Sequence, residues 1–150
     1  MKIVFYSDTN NLNTGSYRIW VNDLNKTLSE NNVNSKVVYG DMSLIDEDAD
    51  VVIFCKSAYK KIKNYNKKRK DVKIGAINVS CDHYDSKIDF VIVGSPEEYA
   101  SLSYYRNVFI HPLIERKFEN ISRKVHTQDD QTLKLCFHGH YPHLFKFEPF

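Results

Sequence analysis

Glycine is scarce in this chain of 150 residues: there are five, against ten tyrosines and nine phenylalanines. The scarcity excludes two common phosphate-binding devices. The three-glycine fingerprint G-x-G-x-x-G of dinucleotide sites is absent, and so is the Gly-Lys-Ser/Thr of a P-loop. Long apolar runs are missing too, and none approaches the roughly 20 residues of a membrane-spanning helix. Met1-Lys2 leads straight into a short apolar run, so no secretory leader is expected. Cysteine is rare and odd in number: Cys55, Cys81 and Cys136 are scattered, mostly within apolar runs. That pattern fits reduced, buried thiols and a cytoplasmic protein rather than a disulfide framework. A net charge of +2 gives no bulk electrostatic argument for a nucleic-acid partner, and none is expected. Much of the lysine is concentrated in KKIKNYNKKRK, residues 60–70. Such a run reads first as a solvated helix face and second as a peripheral contact for an anionic partner or membrane surface.

What the chain does have is a series of short apolar runs rich in Val, Ile and Phe. They are residues 2–7, 35–40, 50–55, 72–79, 89–94, 107–112 and 133–139. Several are apolar at consecutive positions, the mark of strands buried on both faces. Between them lie segments with helical signals. Residues 16–32 carry Tyr17, Trp20 or Val21, Leu24 and Leu28 at helical spacing, with Thr14 or Ser16 as a cap and Asn31-Asn32 as a stop. A second helix is expected over 58–69, with Tyr59, Ile62 and Tyr65 or Asn66 on one face. A third is expected over 95–105, where Ser95 caps, Pro96 opens and Glu97-Glu98 complement the dipole. Strands alternating with helices predict an α/β fold, a Rossmann-like three-layer sandwich around a mainly parallel sheet. Residues 119–132 are polar and without period, and read as a linker.

The lone Gly15 sits where the first strand-and-loop passes into the first helix. A glycine there lets a ligand approach the backbone, and the free N–H groups of Ser16 and Tyr17 would favour an anion. The alternative is an ordinary loop glycine. Near the end of the chain, His138, His140 and His143 fall within six positions, with His111 as a further candidate. No cysteine or carboxylate accompanies them at fixed spacing, so no metal site is assigned.

One passage is more specific. The segment DFVIVGSPEEYASLSYYRNVFIHPLIERKFENI, a polar gap, and then LKLCFHGHYPH resembles a passage of family 4-type retaining glycosyltransferases of the GT-B fold. The matching elements are a strand led by Asp89, the helix-capping Ser95, VFIHPLIERKF and LCFHGH, in the family's order. NTGSYRIWVNDLNKTLSENN resembles that family's glycine loop and first helix. Departures are HPLI in place of the usual Pro-Asn-Gly, and one glycine where a pair is common. The resemblance implies a nucleotide-sugar donor, a sugar or lipid-linked acceptor, retention at the anomeric carbon, and no metal or other cofactor. It implies that Gly15 and Ser16 meet the donor phosphates and that Asp82 and His83 lie near the reacting sugar. His140 falls at an arginine position and Lys146 near a lysine position of the donor-phosphate site.

On this reading residues 1–118 form the N-terminal acceptor-side domain, 119–132 the linker, and 133–150 the first strand and stub of the donor-binding domain. Such a portion is expected to be inactive by itself, and its uncovered surface could pair two copies as a homodimer. The rival expectations are a nucleotide- or dinucleotide-binding Rossmann module and a non-catalytic interaction domain.

Overall fold

Among the described residues six strands pair into one sheet in the order β2-β1-β3-β4-β5-β6, every pairing parallel. They are β1 (Lys2–Ser7), β2 (Asn34–Tyr39), β3 (Val51–Cys55), β4 (Lys73–Ile77), β5 (Phe90–Val93) and β6 (Val108–Ile110). The computed structural model describes residues 1–79 and 84–112, apart from the Ser57 side chain, all within one unit, Met1–Glu119. The α/β fold class expected from the alternation of runs is the one observed. The apolar run at 133–139 and the linker at 119–132 lie outside the described residues.

Burial explains the composition of the strands. After their first residues, β1, β3 and β4 are buried at every position. A parallel strand covered on both faces has no polar side to show, so its sequence is a continuous apolar run. Edge strands β2 and β6 are only partly covered, and Tyr39, Phe109 and Ile110 are exposed. The two faces carry separate cores. One holds Val4, Tyr6, Val52, Phe54, Ile74, Ala76, Val91 and Val93. The other holds Ile3, Phe5, Ile53, Cys55 and Ile77. Gly75 is required by a close approach, because a Cβ there would stand 2.3 Å from Cζ of Phe90.

The second face is covered by α1 (Gly15–Tyr17), which runs through a π-helical segment, Arg18–Asp23, into α2 (Leu24–Glu30). Tyr17, Trp20 and Val21 are buried there, with Leu24 and Leu28 packed beside them. Asn31 ends the helix and Asn32 takes a left-handed φ of 60°, a conformation asparagine tolerates better than most residues. The start differs from expectation. Thr14 occupies the cap position, but neither it nor Ser16 makes a capping hydrogen bond there. The hydroxyls and amides of the preceding loop are spent on its own turns: Thr9 N–H donates to Ser7 Oγ, Asn11 N–H to Thr9 Oγ1 and Asn13 N–H to Asn11 Oδ1.

The first face is covered by a 3-10 helix, Lys56–Asn64, and by α3 (Pro96–Ser101). The expected α-helix over 58–69 is therefore corrected in type and length. Tyr59, Ile62 and Tyr65 recur at intervals of three, and a 3-10 helix with three residues per turn stacks that spacing into one row. All three are buried. At α3, Ser95 Oγ accepts from Glu98 N–H at 3.2 Å, with Pro96 in the first turn, as the sequence indicated. The helix is shorter than expected and ends at Ser101, because Leu102 turns inward and is buried.

Aspartates seal the amino-terminal end of the sheet. Asp50 Oδ2 accepts from Lys2 N–H at 2.7 Å, and Asp89 Oδ2 from Ile74 N–H at 2.8 Å. Each stands immediately before a strand and bonds the backbone of its neighbour. Lys2 and Lys36 pair with Asp46, Arg69 with Asp50, and Lys67 and Lys73 with Asp89. Burial works to raise the Asp89 carboxyl, but the Ile74 amide and the two lysines outweigh it and hold it below the ordinary range. Hydrogen bonds from Lys36 and Lys2 lower Asp46, and the Lys2 backbone amide lowers Asp50.

Two outcomes follow. A depressed folded-state pKa contributes stability that is complete above the unfolded value of about 4 and is lost as pH falls through the folded value. Urea midpoints should therefore decline below about pH 4, and Asp89→Asn should shrink that decline. Separately, the Tyr65 hydroxyl is buried beside Phe54, at a ring separation of 5.4 Å, without a hydrogen-bond partner among the described residues. Tyr65→Phe removes an unpaired polar atom and should raise stability by about 1 kcal/mol in urea denaturation.

Candidate functional site

Strand order places the site. The chain leaves β1 for the outer strand β2, then returns across β1 to β3. The crevice outside the carboxyl ends of β1 and β3 lies at this topological switch, where open parallel sheets bind ligands. Four segments converge there: the loop after Ser7, the turn after Tyr39, the start of the 3-10 helix and the turn after Ile77.

Tyr6 ties them together. Its ring is buried and packs tilted against Phe54 at 5.3 Å, while its hydroxyl donates to Gly40 O at 2.9 Å. Gly40 takes a φ of 76°, and its N–H donates to Ser7 O at 3.1 Å. Lys61 reaches the crevice from the 3-10 helix. Its Nζ donates to the Tyr6 hydroxyl at 3.3 Å and pairs with Asp8 Oδ1 at 2.5 Å. The Asp8 bond first, and the Tyr6 bond second, raise the Lys61 ammonium above the ordinary lysine range. Asp8 and Lys61 thus close the crevice as a neutral pair.

Gly15 and Ser16 form the first turn of the helix on the other side of β1. Gly15 has no need of its special backbone freedom. A Cβ there would meet only Arg18 Nη2, at 3.9 Å. The Arg18 guanidinium braces the loop by donating from Nη1 to Leu12 O at 3.0 Å. Beneath the turn, burial first, and neighbouring Cys55 and Tyr39 second, raise the Tyr17 phenol. Cys55 is a free thiol buried at the end of β3, and burial drives its ionisation far above neutral pH. It is a packing group and not a nucleophile.

Two further residues bear positive φ at this edge: Lys56 at 36° and Asn78 at 52°, directly after β3 and β4. Lys56 is exposed and has no ion-pair partner among the described residues.

The sequence-based candidates divide. Gly15 and Ser16 lie in the first turn of the helix, on the opposite face of the sheet from the 3-10 helix that carries Lys61. Asp82, His83, His140 and Lys146 lie outside the described residues, as do Cys81, Cys136, His138 and His143. His111 packs its ring against Trp20 at 5.9 Å, and its N–H donates to Val93 O. Among the described residues no three His, Cys, Asp or Glu side chains are grouped to hold a metal. None of their helices is long and apolar enough to cross a membrane. Sequence reasoning missed Lys61, Lys56 and Tyr6. Lys56 could have been found from its place directly behind a strand. Lys61 was hidden within the lysine run, and Tyr6 read only as part of an apolar strand.

The fold defines a parallel α/β protein whose strand order switches between β1 and β3. Comparison of the chain with models of known protein families, with curated proteins and with solved structures found no match.

The ion pair makes a directional test. Asp8→Asn removes the negative charge from the crevice and frees the Lys61 ammonium, so pyrophosphate should bind roughly fivefold tighter, whereas Lys61→Gln should weaken it by a similar factor. Amide shifts of Asp8, Gly40 and Lys61 during an NMR titration report both.

Proposed function

We propose that the chain is the acceptor-side Rossmann-like domain of a retaining, nucleotide-sugar-dependent glycosyltransferase of the GT-B type, acting in the cytoplasm on a sugar or lipid-linked acceptor. The observation that carries this reading is the junction at Gly15-Ser16. A helix of continuous turns begins there without a side-chain cap, beside the carboxyl end of β1, leaving backbone N–H groups for a diphosphate. The order of Asp89, Ser95 and the strand Val108–Ile110 is compatible with the GT-B passage, although Asp89 and Ser95 have structural work of their own. On this reading Gly15 and Ser16 orient the donor phosphates, and Asp82 and His83 orient or stabilise the reacting sugar. His140 and Lys146 complete the phosphate contacts.

Strand order favours one alternative, a mononucleotide module. The classical dinucleotide order has a further strand outside β2. Here β2 is the edge among the described residues, and the order 2-1-3-4-5 is the flavodoxin-like one, extended by β6.

Affinity separates the two. The Gly15 turn offers two or three backbone donors, each worth roughly 0.5–1.5 kcal/mol net. Association costs roughly 4 kcal/mol or more, so the glycosyltransferase reading expects millimolar binding at best. Titration of the labelled chain with UDP-glucose, UDP and NAD should move the Gly15, Ser16 and Tyr17 amides with the two uridine ligands only, and no sugar transfer should be detected. Micromolar binding of UDP or UDP-glucose, or turnover that His83→Ala abolishes, would falsify the reading.

A further inference from the structure

On the opposite face of the sheet from the Gly15 helix, a cavity of about 230 Å3 opens between the 3-10 helix and the segment that starts at Tyr84. Among the described residues its lining is Tyr59, Lys60, Lys63, Tyr84 and Asp85. We propose that this cavity binds one flat ring carrying a phosphate, a nucleoside monophosphate in chemical class, with the ring against Tyr84 and the phosphate between Lys60 and Lys63.

The helix type arranges the cations. In a 3-10 helix residues three apart eclipse one another, so Lys60 and Lys63 project in one row beside the buried row of Tyr59, Ile62 and Tyr65. The two lysines are exposed and have no ion-pair partner among the described residues, unlike Lys61, Lys67 and Lys68 nearby. Two such ammonium groups side by side repel each other and are relieved by an anion.

The aromatic wall is held in place. Tyr84 is 64% exposed, yet its ring is fixed against Tyr105 at 5.1 Å and Tyr104 at 5.9 Å. Asp85 N–H donates to the Tyr105 hydroxyl at 3.1 Å, which anchors the segment to the buried Tyr105. Lys87 Nζ donates to Lys63 O at 2.6 Å and locks this segment to the 3-10 helix. A large aromatic face kept in water by a rigid support is a stacking surface for a planar ring.

Size and charge narrow the class. The cavity is smaller than the roughly 300–1,000 Å3 of typical ligand pockets, so it admits one ring and leaves the phosphate at the lysine rim. Asp85 adds a negative acceptor suited to a ring amino group or a ribose hydroxyl, and it disfavours a longer polyphosphate. The site rests on none of the residues invoked for sugar transfer.

The probe is UMP, with uridine and inorganic phosphate as separate arms, titrated into the full labelled chain and followed by amide shifts. UMP should saturate in the low millimolar range or below and move Tyr59–Asn64 and Tyr84–Lys87. Uridine should bind about tenfold more weakly, and phosphate should not saturate. Tyr84→Ala should raise the UMP Kd about tenfold, whereas Tyr84→Phe should preserve it. Lys60→Gln with Lys63→Gln should weaken UMP to the level of uridine and flatten its salt dependence. Thermal melts of the variants should match the parent, since the changed side chains are exposed. Phosphate binding as tightly as UMP, indifference to Tyr84→Ala, or shifts confined to Gly15–Tyr17 would each overturn the proposal. The last of these would leave the glycosyltransferase reading standing.

Discussion

Burial of the central strands on both faces is the constraint from which the rest of the structure follows. With β1, β3 and β4 covered above and below, no polar side chain can leave the sheet through its faces without a partner. Polar function is driven to the two ends of the strands. The covering segments must each bring an apolar row to the sheet, and each solves the problem with a different period. The first helix does so with α and π turns that bury Tyr17, Trp20 and Val21. The 3-10 helix does so with an exact spacing of three, which puts Tyr59, Ile62 and Tyr65 inward. Its remaining rows are then committed: Lys61 falls toward the crevice, and Lys60 with Lys63 toward the tyrosine cavity. One helix type thus splits a single lysine run between two places.

Much of this was legible from the residues. Six apolar runs gave six strands with ends displaced by a residue or two, because a doubly covered strand has a sequence that few other elements share. Ser95-Pro96-Glu97-Glu98 specified a helix start through local chemistry alone, and local chemistry is what a sequence displays. The 3-10 helix was misread as α because intervals of three suit either helix over a short stretch, and only the exact repeat distinguishes them. The missing cap at Thr14 was illegible for another reason. Whether a hydroxyl caps a helix depends on how the preceding loop spends its own donors, and Thr9, Asn11 and Asn13 had competing turns available. At the crevice, Gly15 and Ser16 could be read from a motif, but Lys61 and Tyr6 could not. Their meeting with Asp8 and Gly40 depends on strand order, which puts β1 between β2 and β3.

The structure also changes the weight of the features behind the GT-B resemblance. Asp89 leads its strand because its carboxylate must satisfy the Ile74 amide, and Asp50 does the same for Lys2. A repeated device with a local cause would occur in any parallel sheet whose strand starts are exposed. Ser95 is equally explained by its helix. What such local causes leave unexplained is Gly15. Its backbone is unstrained and a Cβ would fit, so neither conformation nor packing requires glycine there. An unforced glycine at a helix start is a feature that the donor-phosphate contact proposed above would account for.

A further contrast separates the two ends of the sheet. At the amino end, carboxylates and cations are matched: Asp46, Asp50 and Asp89 each hold a backbone amide or an ammonium group, and their lowered carboxyls record it. Charges paired in this way stabilise the fold and are poorly placed to receive a ligand, which would have to displace them. At the carboxyl end Lys56 and Asn78 take positive φ beside Gly40, while at the amino end Asn32 does so before β2. Strain of this kind costs of order 1 kcal/mol or more for a residue bearing a Cβ, and a surrounding structure that tolerates it has over-determined the turn. Lys56 combines the strain with an exposed ammonium and no partner among the described residues, the reverse of the matched lysines at the other end. Matched charge also reaches the carboxyl end in the Asp8–Lys61 pair, so Lys56 alone of these residues carries the contrast. The matched amino end serves the scaffold, and neither of the two ligand sites proposed above draws on its carboxylates or cations.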